Sequence, residues 1–402
     1  MSDTTGDEIK FKSGSTKKMF RNYNIKKISL LLFVIIAITS CKEVYEPKIN
    51  SPATGYLVVD GFINSGDSPT IITLSRTTKL VDTIETLYEH NAHVDIESDN
   101  NENYPLSEQG NGKYVSGFLS LNSNEKYRVH IITSNGKEYL SDFVAVQYTP
   151  PIDSITWKVE NGGVQLYTNA HDDAGIAKYF RWTYAETWEF HSPFLQTLYY
   201  TIDPSGLAIG ISSGVADTTI YKCWKSQISR QIILGTTEKL IEDKVYLPVR
   251  YIQPQAEELS VLYYIDLKQY VLSKEAYLFY QKLKKNTEQL GTIFDAQPSE
   301  LEGNIHSVND PAEIVVGYVD VSQPQEKRLF INHDELPIAW LPHIACEEQK
   351  LDANFAYPFY PQLIPTRVAE YMGLTIKSYY AAEPICVDCT LRGTNVRPSF
   401  WP

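Results

Sequence analysis

Alternation of apolar and polar residues dominates the chain from residue 56 onward. The runs YLVVDGFI, TIITLSRT and KYRVHIIT place apolar side chains at every second position, with turn residues between them. Because successive strand side chains point to opposite faces, this period predicts short β-strands. Asn135-Gly136 favours a type I′ hairpin, in which both central residues need positive φ. We therefore predict an immunoglobulin-like or transthyretin-like β-sandwich over residues 54–149, ended by Pro150-Pro151.

A larger β-rich domain is predicted over residues 152–402. It opens with a hairpin at Gly162-Gly163 and continues with aromatic strands, KYFRWTYAETWEF and LSVLYYIDLKQYVL. One main helix is expected over 273–290, because Ser273 can cap it and apolar residues then recur on one face. The tail from Leu336 is rich in proline and is expected to be irregular. The fold class is therefore mainly β.

A short apolar segment near the start indicates export. Ile28 to Ile38 holds 11 uncharged residues, which is too short to span a bilayer core of ~30 Å. Basic residues precede it and Cys41 follows shortly after it, as in a lipoprotein signal. We predict a leader over 1–40, a lipidated Cys41, and a tether over 41–53. The alternative is a short signal-anchor in which Cys41 is incidental.

The tether KEVYEPKINSP is polar and reaches at most ~35 Å when fully extended. No other stretch approaches 18 apolar residues, so the lipid on Cys41 is the expected membrane attachment.

Composition limits the classes of partner. The 402 residues carry a formal net charge of −13, which argues against nucleic acid because phosphate binding needs a basic face. Hydrophobic residues make up 43% of the chain, which is enough for a large core and excludes wholesale disorder.

Four cysteines follow Cys41, namely Cys223, Cys346, Cys386 and Cys389. An even number in an exported chain favours disulfides. We expect one pair to join Cys346 to Cys386 or to Cys389. The spacing Cys386-Val-Asp-Cys389 also fits a zinc ribbon, and free thiols are a third alternative.

Candidates for catalysis are weak. Gly210 to Gly214 matches G-x-S-x-G with Ser212 at its centre, but the VADTTI that follows is a poor helix start for a nucleophile elbow. His171-Asp172-Asp173 and His333-Asp334-Glu335 could ligate a cation, although both suit a solvated turn better. We predict no catalytic residue, no metal and no cofactor.

Aromatic residues are the remaining candidates for binding. Trp182, Tyr184 and Trp188 occupy even positions of one predicted strand and therefore share a face. That face could stack on sugar rings or bind a partner protein, and the alternative, which we favour, is that it packs in the core.

Several strings in order resemble one known family. They are CKEVYEP after a leader, VVDGFI, YFRWTYAETWEF, Cys223-Trp224, SKEAYLFYQKL, GTIFDAQPSELEGNI with GYVDVS, RLFIN, and CVDCTLRGTNVRPSFW. Over Cys41 to Pro402 the chain resembles the Bacteroidota lipoprotein family of domain of unknown function 4249. The resemblance implies an outer-membrane lipoprotein encoded near a TonB-dependent transporter. It implies no reaction and no catalytic residues.

These observations lead to three hypotheses about function. The first is a non-enzymatic outer-membrane lipoprotein that acts as a partner or ligand-capturing subunit of a TonB-dependent transporter or other barrel, as SusD-type partners do. A small molecule or an oligomer would be its ligand, and the cell surface or the periplasmic face its location. The second is a structural or assembly subunit of a larger outer-membrane complex. The third is a hydrolase of unknown mechanism.

Overall fold

The alternating runs after residue 55 become antiparallel strands in the computed structural model. It describes residues 55–78, 86–288, 301–337, 345–353 and 360–402. The predicted leader, Cys41 and the tether lie outside these residues and stay predictions.

The first region consists of short strands with alternating burial. They are β1 (Leu57–Asn64), β2 (Ile71–Arg76), β3 (Leu87–Tyr88), β4 (His93–Ser98), β5 (Asn103–Glu108), β6 (Lys113–Val115), β7 (Lys126–Ile132), β8 (Glu138–Ser141) and β9 (Val144–Ala145). In β1, Leu57, Val59 and Ile63 are buried while Asp60 is exposed. They join the apolar sides of β2, β4 and β7 in one core.

The second region begins with two packed sheets. Its strands are β10 (Ile152–Glu160), β11 (Gly163–His171), β12 (Tyr179–His191), β13 (Leu198–Ile202), β14 (Ala208–Ser213), β15 (Lys222–Ile228), β16 (Ile233–Thr236), β17 (Lys244–Ile252) and β18 (Leu262–Val271). One sheet has the order β10-β11-β17, and in the other β12 lies between β15 and β18. Even positions of β12, such as Phe180 and Phe190, pack with Val164 and Leu166 of β11. The prediction of a mainly β fold is confirmed.

Helix α1 (Lys274–Glu288) follows β18, as predicted. The Ser273 hydroxyl accepts a hydrogen bond from the amide of Ala276 at 3.2 Å, which caps the helix. Ala276, Phe279 and Tyr280 are buried on one face. The predicted residues 289 and 290 lie outside the described part of the chain.

The remaining strands belong to three different sheets, and a short helix follows them. They are β19 (Ile305–Ser307), β20 (Val316–Gly317), β21 (Val321–Ser322), β22 (Gln325–Asn332), β23 (Gln349–Asp352), β24 (Ile364–Met372), β25 (Thr375–Ala382) and α2 (Pro384–Val387). Strand β22 pairs with β18, and β23, β25 and β24 form a separate sheet.

Strands β19 to β21 nearly close the first sheet on itself. β19 pairs with β8, while β20 and β21 run parallel to β1, and Gln147 bridges Ser322. The Asn304 side chain accepts from the Val319 amide at 2.9 Å and donates to the Val319 carbonyl at 2.8 Å. A Cβ at Gly303 would collide with the carbonyl oxygen of Gly317, so glycine is needed where the edges meet. This pairing does not confirm the predicted sandwich, and residues 54–149 do not complete the sheet alone.

Two predicted turns differ from their sequence interpretation. At Asn135-Gly136 only the glycine has positive φ, and the Gly136 amide bonds the Thr133 carbonyl at 2.8 Å. This is a three-residue connection ended by a left-handed glycine rather than type I′. The first hairpin of the second region instead turns at Asn161-Gly162, with φ of 50° and 80°, one residue before the predicted Gly162-Gly163.

The part of the tail predicted to be irregular contains a sheet. Strands β23 to β25 pack against the β13–β14 ribbon through a small core that includes Leu198, Leu363, Tyr379 and Ala381. We call residues 198–213, 349–353 and 360–382 together the C-terminal hairpin region.

Two disulfides are present among the described residues. Cys346 bonds Cys386, as one of the predicted pairings had it, and Cys223 bonds Cys389 across 166 residues. Because Cys386 and Cys389 pair with different partners, they do not form the alternative zinc ribbon.

Candidate binding cleft

A break in strand pairing opens a cleft at the edge of the larger sheet. On the same side of β12, β16 pairs with Tyr179 to Trp182 and β15 pairs with Ala185 to His191. Between them the chain leaves the sheet at residues 229–232, held there by the Ser229 amide on the Tyr184 carbonyl at 2.8 Å. The resulting cleft has a volume of about 1150 Å³, and Arg250 of β17 reaches it from the other sheet.

A buried polar network lies beneath this cleft. Glu186 is 1% exposed, and one of its oxygens accepts from Arg250 Nε at 2.9 Å and from the Tyr263 hydroxyl at 2.7 Å. Its other oxygen accepts from the Gln227 side-chain amide. Arg250 also donates to the Tyr251 carbonyl at 2.9 Å. The carboxylate is therefore paired and hydrogen-bonded through both oxygens, as a buried charge requires.

The electrostatics of the network keep its charge fixed. Burial raises the pKa of the Tyr263 hydroxyl well above its usual value, and the charge of Glu186 raises it further. Burial alone would lower the pKa of the Arg250 guanidinium, but the hydrogen bond to Glu186 raises it above its ordinary value. Burial also raises the pKa of Tyr184 at the cleft floor. The tyrosines therefore stay neutral and the arginine charged near neutral pH.

The rim of the cleft is exposed and mostly polar. Ser226 shares a 2.8 Å hydrogen bond with Thr187, and Glu288 accepts from the Ile232 amide at 2.6 Å. Arg230 and Gln231 are exposed, and Ile228 is 75% exposed. Such a rim offers hydrogen bonds and one apolar contact to a bound molecule.

The predicted aromatic binding face is a core face. Trp182, Tyr184 and Trp188 are at most 5% exposed, because even positions of β12 face the other sheet. Trp182 Nε1 donates to Gln269 at 2.9 Å and Trp188 Nε1 reaches Glu257 at 3.4 Å. The packing alternative is therefore correct, and only Tyr184 lines the cleft.

The weak catalytic candidates lie apart from the cleft. Ser212 is inside β14, opposite Tyr199, and not at a strand-to-helix turn. His171 pairs with Asp153 at 2.7 Å, which raises the pKa of its imidazole. The ring of His333 contacts the Leu259 carbonyl at 2.8 Å. These contacts support the turn and strand interpretations of the three motifs.

Metal ligation finds no support within the part of the chain that the structure describes, where no group of three or more His, Cys, Asp or Glu side chains could hold an ion.

The cleft network was missed by the sequence interpretation. In the sequence, Glu186 occupies an even position of β12, on the same side as the buried aromatic residues. An acidic residue at such a position indicates a buried carboxylate with a partner. Arg250 and Tyr263 lie on other strands, 64 and 77 residues further along the chain. Nothing in the local sequence marks them as partners of Glu186.

Comparison with known proteins gives a family and little else. The model of the family described as Domain of unknown function (DUF4249) matches residues 42–328. No curated protein matches the chain. One solved structure is titled as manganese lipoxygenase of Gaeumannomyces graminis with part of zonadhesin of Komagataella pastoris. It is 8% identical, covers 56% of this chain and 91% of its own, and has a TM-score of 0.17, so it carries no argument. Among the described residues, no helix is long and apolar enough to cross a membrane.

Proposed function

Since the chain belongs to the family described as Domain of unknown function (DUF4249), we propose a function from its own geometry. In this proposal the protein is a non-enzymatic, lipid-anchored protein of the outer membrane that acts as partner or ligand-capturing subunit of a TonB-dependent transporter. The cleft at residues 226–231 is its binding surface.

The saturated network under the cleft carries this proposal. An acid or base for catalysis needs an oxygen or nitrogen free to exchange a proton with substrate. Glu186 instead uses both oxygens to hold Arg250, Tyr263 and Gln227. Such a network fixes the shape of the floor, while the rim supplies hydrogen bonds to a ligand. This arrangement suits binding.

The disulfides support the proposed compartment. Disulfides persist in exported proteins and are rare in the cytosol, where thiols are kept reduced. Cys223–Cys389 and Cys346–Cys386 therefore agree with a chain that follows a lipoprotein leader to the outer membrane.

Mild-detergent purification of the full-length lipoprotein tests the partnership. We expect a barrel protein to co-purify with the wild type and native mass spectrometry to resolve the complex. Ile228→Arg and Arg230→Glu change exposed rim residues, and Ile241→Arg is the matched control because Ile241 is fully exposed outside the cleft. We expect the rim variants either to stop co-purifying with the barrel protein or to co-purify with it and lack a bound small molecule. The control should keep both the barrel protein and the small molecule.

The results separate the hypotheses. If no barrel co-purifies with the wild type, the transporter partnership is wrong. If the rim variants behave as the control does, the cleft is not the binding surface. A barrel without any bound small mass favours the assembly subunit. Hydrolysis that Ser212→Ala abolishes in folded protein would establish the enzyme hypothesis instead.

A further inference from the structure

Two hairpins of the C-terminal hairpin region end in exposed apolar side chains. The first apolar tip, between β13 and β14, consists of Ile202, Leu207 and Ile209, which are 41%, 65% and 63% exposed. The second apolar tip, between β24 and β25, consists of Tyr371, Met372 and Leu374, which are 57%, 61% and 100% exposed.

Both apolar tips lie at the same end of this region. The Thr197 amide donates to the Thr366 carbonyl at 2.9 Å, just before β13 and near the start of β24. Further along, the Tyr200 hydroxyl lies 3.4 Å from that of Tyr379, which pairs with Val368. Strand β13 therefore advances beside β24 in the same direction, and both turns follow beyond these contacts.

The apolar residues at these turns contribute little to the fold. The first turn is closed by Asp203, whose carboxylate accepts the amides of Ser205 and Leu207 at 2.9 Å, so Leu207 contributes only its backbone. The second turn needs positive φ only at Gly373, where it is 64°. By contrast, the hairpin of β10 and β11 turns on Asn161-Gly162, the polar chemistry expected of an exposed turn. Single exposed apolar turns, such as Leu240-Ile241, are ordinary, but two of them at the same end of one region form a larger apolar surface, which indicates a surface that is covered in use.

The charges behind the tips are balanced. Lys377 pairs with Glu370 at 2.7 Å, and Arg367 pairs with Glu348 at 2.7 Å. The carboxylate of Asp203 in the first tip stays ionised, because hydrogen bonds from Ser205 and Leu207 lower its pKa, so the tips do not attract a strongly acidic partner. The contact is therefore made by the apolar side chains.

We propose that the two apolar tips insert into the lipid bilayer surface and hold the body against the membrane. The inference rests on the lipid anchor of the proposed function, because the segment from Cys41 to Gly55 reaches at most ~50 Å and keeps the body near the membrane. Two separate protrusions at hairpin ends enter a fluid headgroup layer readily, whereas a rigid protein partner requires a continuous complementary patch.

Fluorescence quenching on vesicles tests this inference. Leu374→Cys and Leu207→Cys in the full-length lipoprotein are labelled with the fluorophore NBD, and Ile241→Cys is the matched exposed control. The probes are vesicles of phosphatidylethanolamine and phosphatidylglycerol that carry a doxyl-labelled lipid quencher. We expect quenching about threefold stronger at positions 374 and 207 than at 241, since interfacial elements settle roughly 5–10 Å into the headgroup boundary.

Equal quenching at all three positions would overturn the inference. Shielding of positions 374 and 207 that requires a co-reconstituted barrel protein would overturn it too, since the tips would then contact protein. Vesicle flotation of the same samples reports the lipid anchor separately. A chain that floats with unquenched tips therefore disproves the bilayer contact alone and leaves the anchor intact.

Discussion

The nearly closed first sheet and the C-terminal hairpin region differ in how they pair their strand edges and bury their apolar residues. The first sheet seals its edges with β19 to β21 and buries a large apolar core. Among its described residues, the hairpin region has a small buried core, a disulfide at its base and apolar turns that face solvent. The first region combines a large apolar core with scattered exposed residues such as Phe118 and Leu87, whereas the second combines a small core with exposed apolar residues gathered at two turns.

The largest expected effect is the loss of the disulfide at the base of the hairpin region. The double change Cys346→Ala and Cys386→Ala should destabilise this region by about 2–4 kcal/mol, because its core is too small to replace the cross-link. Hydrogen exchange should show lost amide protection in β23 to β25 and retained protection in β1 to β8. Equal loss of protection in both regions would contradict the comparison.

The next effect is the pH dependence of the joint between the first sheet and α1. Asp320, 3% exposed, accepts hydrogen bonds from the amide of Ser273 at 2.8 Å and from Val321 at 3.0 Å. Burial raises its pKa from 3.8 to about 6, and these hydrogen bonds only partly oppose that shift. The folded state therefore binds the proton more tightly than the unfolded state, and this stabilisation is lost as pH rises through 6.

Urea unfolding of the wild type and of Asp320→Asn tests whether stability falls as pH rises. From below pH 3.8 to above pH 6, the stability of the wild type relative to the variant should fall by about 3 kcal/mol, since one pKa unit is worth ~1.4 kcal/mol. Asp203→Asn, in an exposed turn, is the control and should not reproduce this fall. A difference between wild type and Asp320→Asn that stays constant with pH would show that the joint does not titrate.

A smaller effect is expected at the seam of the first sheet. Asn304→Ala removes the group that bonds both the amide and the carbonyl of Val319, leaving these buried groups unpaired. The free energy of unfolding should fall by about 1–3 kcal/mol, while Asn103→Ala on the exposed side of β5 should change it little. Faster exchange confined to β19 to β21 and β1 would locate the effect at the seam. Unchanged exchange there would mean that the seam does not depend on Asn304.

The smallest effect should come from the apolar tips. Leu374→Ser and Leu207→Ser should change stability by no more than about 0.5 kcal/mol, because neither side chain is buried. Leu198→Ala, in the core of the same region, is the contrasting variant and should cost about 2–5 kcal/mol. Thermal unfolding measures all three. A large loss from Leu374→Ser would mean that the tip supports the fold.

Local pattern predicted the elements better than their partners. The alternation of β1 and β12 and the cap of α1 at Ser273 were readable because each depends on neighbouring residues. The sheet of β23 to β25 was not predicted, because Pro365 lies within β24 and the proline-rich tail suggested an irregular chain. At Asn135-Gly136 the loop length, rather than the dipeptide, decided the turn type.

The candidate site was harder to predict because it depends on distant segments. Glu186 looked like a single acid in a strand, and only the packing of β17 and β18 brings Arg250 and Tyr263 to it. The cleft itself results from the segment 229–232, where the chain leaves the sheet, and no turn motif in the sequence predicted that segment. The cysteine partners were likewise left open, since the fold rather than the spacing chooses between Cys386 and Cys389.

The parallel pairing of β1 with β20 and β21 has a consequence for folding order. Val58 pairs with Val316. Strand β1, which is synthesised first, therefore cannot complete its pairing until β20, in the last third of the chain, has been synthesised. Until residue 322 emerges, β1 carries an open edge that other strands can pair with. Contacts so distant in sequence form slowly, and such intermediates aggregate readily. A chain that is made from its N-terminus therefore spends most of its synthesis with this edge unpaired, and a chaperone that shields β1 would raise its yield.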